Sequence, residues 1–238
     1  MDYLFRGLAR NNKIRVFGID AKESISRVCK QHDTLPLTTV AFARFLLAGI
    51  IMGCLEKQTQ GITMQINSDG PIKSLFMQAS ANGLFRGYVG KADGDLSLAE
   101  DGISLEKLIG DNGILSVTKT VDNENSFTSD VILMESNITK DIAYYFFTSE
   151  QVPTIIDLQV NLDNVEENMK DVFDDFEKLE QIEVKDICDC SKDRFLNSLA
   201  TLSNQDLEEL STEDIEVVCQ FCQKVYTFSK DELQKLKK

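Results

Sequence analysis

Residues 187–233 read ICDCSKDRFLNSLATLSNQDLEELSTEDIEVVCQFCQKVYTFSKDEL, and the four cysteines in this stretch decide how the C-terminal part of the chain folds. They form two close pairs, Cys188-Asp189-Cys190 and Cys219-Gln220-Phe221-Cys222. Each pair can chelate one ion locally, and the folded segment between them closes a tetrahedron, as in a four-thiolate zinc site. One Zn2+ per chain is expected in the reduced protein, held by Cys188, Cys190, Cys219 and Cys222. Four thiolates leave no open position for water or substrate, so this is not the zinc of a hydrolase. Around the cysteines, Ser191 and Ser203 are placed to cap helices running through Leu202 and Leu210. Ile215–Val218 and Lys224–Phe228 read as short strands flanking the second pair, and Ser229 with Glu232 makes a capping box before a final helix. About fifty residues bury little core, and a module of that size usually needs a staple.

The whole chain has 238 residues, 42% of them hydrophobic, which marks a globular protein. Its formal net charge of −14 argues against nucleic acid and against anionic membrane surfaces, both of which select basic patches. The opening MDYLFRGLARNNK lacks the apolar core of a signal peptide. The longest apolar run, Phe45–Leu55, is bracketed by Arg44 and Glu56 and is too short to cross a bilayer, so it reads as a core helix. A cytoplasmic location is expected, where thiols stay reduced and paired cysteines point to metal or redox chemistry. Cys29 and Cys54 stand singly on apolar helices and read as small buried residues. His32 is the sole histidine, without a recognisable triad partner, and no glycine-rich phosphate loop is present, so no enzyme is expected. A thiol oxidoreductase using Cys219 and Cys222 is the enzymatic alternative, but such enzymes place the pair at a helix start, and here it lies between strands.

Periodicity divides the rest of the chain into an α+β architecture: an N-terminal mixed sheet-and-helix domain at 1–160, a short helical linker at 161–186, and the small C-terminal zinc-binding domain at 187–238. Lys13–Asp20 reads as a strand, and Ala21–His32 and Thr38–Lys57 as helices, the second buried. Strands follow at Gly61–Asn67, Ile72–Ala79 and Leu84–Gly90, with Asn82-Gly83 marking a hairpin. Gly113–Thr120 and Phe127–Met134 make a second hairpin across Asp122–Asn125, and a helix runs from about Thr139 to Thr148. From Asp163 to Asp186 ten acids face Lys170, Lys178 and Lys185, so half the net charge lies in about a tenth of the length. Val165, Met169, Val172, Phe173, Phe176 and Leu179 recur there at helical spacing, and Asn164 with Glu167 resembles a capping box. Two readings are open: a solvated acidic helix with one face on the main core, or a movable element.

The spacing of the cysteines leaves a structural staple and a redox switch equally open. The C-terminal stretch, however, resembles the zinc end of the heat-shock protein 33 family of redox-regulated bacterial holdase chaperones. The likeness rests on Cys188, Cys190 and Ser191, then Cys219, Phe221 and Cys222, then Tyr226 and Phe228. It extends through Asp2, Leu4 and Arg6, Asp69-Gly70-Pro71, Arg86-Gly87-Tyr88, and Asp141 and Tyr145 leading to Ser149-Glu150-Gln151-Val152-Pro153. The resemblance implies an ATP-independent holdase, zinc-bound and inactive when reduced. It implies activation by disulfides within each cysteine pair and zinc release, with unfolding client proteins as partners and a homodimer in the oxidised form. One feature departs from the family: only Thr154 to Ile187 separates the Ser-Glu-Gln motif from the first cysteine pair, without the family's Ala-Gly-Gly strand and longer metastable linker. A non-enzymatic adaptor or constitutive holdase with purely structural zinc is the alternative.

Overall fold

Two antiparallel strands begin the chain, β1 (Tyr3–Ala9) and β2 (Ile14–Asp20), in register from Tyr3 opposite Asp20 to Ala9 opposite Ile14. The computed structural model describes residues 1–55, 61–97, 104–121, 125–159 and 165–236. Helices α1 (Lys22–Gln31) and α2 (Pro36–Leu55) follow. Their exposed N-terminal amides are satisfied by distant carboxylates. Asp2 accepts from the amides of Glu23 and Ser24 at 3.1 and 2.5 Å. Asp95 accepts from those of Leu37 and Thr38 at 2.7 and 2.9 Å. A cap of this kind is worth about 1 kcal/mol. Helix α2 is long and apolar enough to cross a membrane by length and composition, but most of it is buried in the core of this unit.

The core is built by packing α2 on a sheet. Strands β3 (Gly61–Ser68), β4 (Ser74–Ala79) and β5 (Leu84–Val89) alternate strictly, so that Ile62, Met64, Ile66, Leu75 and Met77 are buried on one face. A Cβ at Gly49 of α2 would collide with the sulfur of Met77, so glycine there lets helix and sheet close together. Gly83, at φ +81°, makes the expected turn between β4 and β5. A 3₁₀ turn (Gly94–Ser97) and helix α3 (Leu105–Ile109), capped by Ser104, lead into β6 (Gly113–Thr120) and β7 (Ser126–Ile132). Helix α4 (Ile138–Tyr145) runs on into one π turn (Phe146–Glu150). Most of the tip between β6 and β7, the end of the second helix at Lys57, and Asn164 lie outside the described residues.

The acidic segment departs from expectation. A helix, α5, covers only Val165–Val172. Glu177–Glu183 is a strand, β8, and Lys185–Asp186 a short strand, β9. Among the described residues of the helical linker expected at 161–186, only Val165–Val172 is therefore helical. Strand β8 pairs antiparallel with β1, giving a three-stranded sheet of order β2-β1-β8, and β9 pairs parallel with β5 at the border of a six-stranded sheet of order β7-β6-β3-β4-β5-β9. The reason is tertiary. Phe176 packs edge-on against Phe5 at 5.7 Å and covers Gly7, where any side chain would clash with its ring. Ion pairs join Arg6 to Glu180 and Arg27 to Asp186. These pairs are partly exposed and worth about 1 kcal/mol or less each. Full burial of an aromatic ring gives about 1.5–3 kcal/mol and the half-buried Phe176 a part of that, so packing contributes at least as much as either ion pair.

Asp175 precedes this strand and accepts from the backbone amides of Asn11 at 2.7 Å and Arg10 at 2.9 Å. Those two bonds hold its carboxyl below the usual range, Asn11 contributing most. The folded-state value thus lies below the unfolded value of about 3.9. Its contribution is complete above that pH and lost as pH falls through the folded value. Amide exchange at Arg10 and Asn11, corrected for intrinsic rates, should accelerate only as pH falls below about 4 in the wild type and be pH-independent in Asp175→Asn. Equal pH dependence in both would refute the assignment.

The chain divides into two compact units, Met1–Ile187 and Cys188–Lys238. The second contains α6 (Lys192–Leu199), α7 (Asn204–Leu210), an antiparallel hairpin of β10 (Ile215–Val218) and β11 (Val225–Phe228), and α8 (Lys230–Gln234). Ser191, Ser203 and Ser229 cap the three helices as their sequence positions require, and Ser229 with Glu232 completes the capping box. Its core is small: Cys219, Tyr226, Phe228 and Leu233 are buried, with Phe195, Leu196 and Val217 packed around them.

Candidate metal centre

The first cysteine pair immediately precedes the Ser191 cap of α6, and the second occupies the turn between β10 and β11. That turn is tight. The Cys219 amide donates to the Lys224 carbonyl at 2.9 Å, and the Gln223 amide donates back to the Cys219 carbonyl at 2.8 Å. Gln223 is left-handed at φ +58°, with no glycine to signal it in the sequence.

All four sulfurs lie within 4.8 Å of one another. Cys188 and Cys219 Sγ are 3.6 Å apart, and Cys190 and Cys222 Sγ 3.4 Å. Four sulfurs bound tetrahedrally at about 2.3 Å from zinc would be about 3.8 Å apart, and the Cys188–Cys219 and Cys190–Cys222 separations lie close to that value, so the four thiols could hold such an ion. The structure thus brings together the four cysteines singled out in the sequence. Cys29 and Cys54 are elsewhere, buried in the N-terminal unit, where desolvation pushes each thiol up to about 11. They are inert at neutral pH.

The sulfurs are not equivalent. The Cys190 amide hydrogen-bonds the Cys188 sulfur, and the Lys224 amide that of Cys222. Cys190 instead faces a side chain: the Tyr226 hydroxyl is 3.1 Å from its sulfur and donates to its carbonyl at 3.0 Å. Burial opposes ionisation of Cys190, but the Tyr226 hydroxyl, followed by the neighbouring thiols, holds its thiol below the ordinary value. Tyr226 is itself 9% exposed, packed on Phe195 with ring centroids 5.1 Å apart and with the Lys224 ammonium 5.1 Å from its ring centre. Tyr226 belongs to the sequence likeness, but nothing in its spacing shows that it touches a ligand sulfur. Cys219 is the most buried of the four at 3% exposed.

Comparison with known proteins extends over the whole chain. A family model described as Hsp33 protein matches residues 2–171 and 163–229. The 33 kDa chaperonin of Agathobacter rectalis is 32% identical over 287 aligned residues, covering 99% of both chains. That of Halalkalibacterium halodurans is 28% identical over 285, covering 99% of this chain and 98% of the other. The crystal structure of a 33 kDa chaperonin (heat shock protein 33 homolog) from Thermotoga maritima shares the fold with a TM-score of 0.84 at 25% identity, covering 99% of this chain and 97% of that one. The two sequence alignments run about fifty positions longer than this chain, so it lacks segments that its relatives carry.

Proposed function

The chain belongs to the Hsp33 family of chaperones, and from that premise we propose that it is a redox-regulated, ATP-independent holdase. The observation that carries the reading is the four-sulfur cluster in a unit with a minimal core. Cys188, Cys190, Cys219 and Cys222 would hold one Zn2+, which when bound supplies the cross-link that the small unit lacks. An oxidant such as hydrogen peroxide turns two thiolates into one disulfide, with two electrons passing from sulfur to the O–O bond and two hydroxides leaving. A disulfide sulfur is a poor metal ligand, so oxidation costs the unit its staple and exposes apolar surface for unfolding clients. Oxidised homodimerisation, a cytoplasmic location and the absence of nucleic-acid and membrane partners belong to the same reading.

The disulfides should form as Cys188–Cys190 and Cys219–Cys222. The closest sulfurs are cross-pair, but in a tetrahedral cluster all six separations are similar. Once the unit loosens, loop closure favours sequence neighbours. Peptide mapping after peroxide treatment should find the local pairs, and the more strained Cys188–Cys190 ring should be the first reduced by dithiothreitol. A majority of cross-pair bonds, or bonds to Cys29 or Cys54, would refute this.

The decisive test is light scattering from a heat-unfolding client. Oxidised protein should suppress aggregation, and reduced zinc-loaded protein should not. The segments missing relative to the family, and the seating of Glu177–Glu183 and Lys185–Asp186 as strands of two sheets, favour a second reading in which zinc is only structural. Equal suppression by both forms selects the constitutive holdase. Suppression by neither selects an adaptor.

A further inference from the structure

Two of the sulfurs are served by backbone amides, which truncating a side chain leaves in place. Cys190 alone is served by a side chain, the hydroxyl of Tyr226. We propose that the Tyr226 hydroxyl is a positioning group for the Cys190 sulfur: its hydrogen bond draws charge from that thiolate, slows its attack on electrophiles and retains the metal. This rests on the reading above that the cluster holds zinc.

The geometry supports a directed role. A phenol has one proton, and here it lies between two acceptors on one residue, the carbonyl at 3.0 Å and the sulfur at 3.1 Å. When Cys190 is a metal-bound thiolate its sulfur carries no proton and cannot donate, so the phenol's one proton is shared between the carbonyl and the sulfur, of which the charged sulfur is the stronger acceptor. Hydrogen bonds to charged acceptors are the stronger ones, and a sulfur lone pair engaged in one is less available to an incoming electrophile. The ring is fixed by Phe195 and buried, so the hydroxyl cannot swing away to water at little cost. Cys219, the most buried of the four cysteines, is the internal reference.

The test is Tyr226→Phe in the full chain, which keeps the ring packing and removes one oxygen. Zinc release is followed with a chromogenic chelator during hydrogen peroxide treatment. In parallel, the zinc-loaded protein is alkylated with iodoacetamide, which replaces iodide on carbon with the cysteine sulfur, and each cysteine is quantified by mass spectrometry. We expect zinc release about five- to twenty-fold faster in Tyr226→Phe, the range for losing a charge-assisted hydrogen bond of modest strength. Alkylation of Cys190 should rise by a similar factor relative to Cys219. Faster alkylation of all four cysteines by the same factor would mean that the variant merely loosens the unit, and would overturn the proposal, as would unchanged rates. Phe195→Leu, which disturbs the packing but keeps the hydroxyl, should raise all four together or none. A wild-type protein that binds no zinc overturns the functional reading itself, and the client assay fails independently of the alkylation ratio.

Discussion

Replacing Cys219 with serine will abolish zinc binding and unfold the C-terminal unit while leaving the N-terminal unit intact. The arithmetic is lopsided. A structural zinc contributes about 10–16 kcal/mol to the apparent folding free energy of a small metal-binding module. A whole domain is stable by only about 5–15 kcal/mol. The apolar cluster here has four buried members, one of which is Cys219 itself. Three sulfurs cannot close the tetrahedron, and the core left behind is too small to replace it. Zinc content should fall from about one equivalent to below a tenth. Amides of α6, β10 and β11 should exchange at unfolded-chain rates, while those of β3, β4 and β6 keep their protection. Wild-type protein treated with a strong chelator should show the same pattern. Full protection of β10 and β11 without metal would refute the staple.

The second large effect is expected at Phe176. The helical reading of the acidic segment put Phe173 and Phe176 on one apolar stripe. In the structure both rings are half-buried, but Phe176 packs on Phe5 and covers Gly7, whereas Phe173 has the Arg10 guanidinium 5.8 Å from its centre. Phe176→Asp removes a packed aromatic ring and places a charge against Phe5, a loss of about 3 kcal/mol or more. That is about a hundred-fold shift in the opening of β8, since each 1.4 kcal/mol is a factor of ten. Amides in the β1–β8 ladder should exchange about a hundred-fold faster, with the β3–β4 ladder unaffected. If docking of β8 restrains chaperone activity, the reduced, zinc-loaded variant will also suppress client aggregation. Phe173→Asp should do much less. Equal effects at both positions would restore the helical reading.

Most of the fold is local and was readable for that reason. Capping serines, the Asn82-Gly83 turn and the alternation in β3 to β6 act within a few residues of themselves. The cysteine cluster was legible because the pairing of close cysteines is also local. Three things were not. Strand β1 carries Leu4 and Phe5 side by side, both buried, and a register shift between Arg6 and Gly7, so its alternation is broken. Segment Glu177–Glu183, EKLEQIE, is composed of good helix formers, and only its partner β1 makes it a strand. The caps of α1 and α2 come from Asp2 and Asp95, 21 to 22 and 57 to 58 residues from the amides they satisfy. Tyr226 belongs with these, since its contact with Cys190 spans 36 residues.

Strand β1 sits between β2 and β8, bonded on both sides. It is therefore an interior strand only while β8 stays in place. Detachment of β8 turns it into a border with an unpaired row of N–H and C=O groups. Such a row pairs with any extended backbone, whatever its side chains. The vacated slot would admit a guest segment from a collapsing polypeptide or from a second copy of this chain by the same bonds, and β8 would have to compete to return.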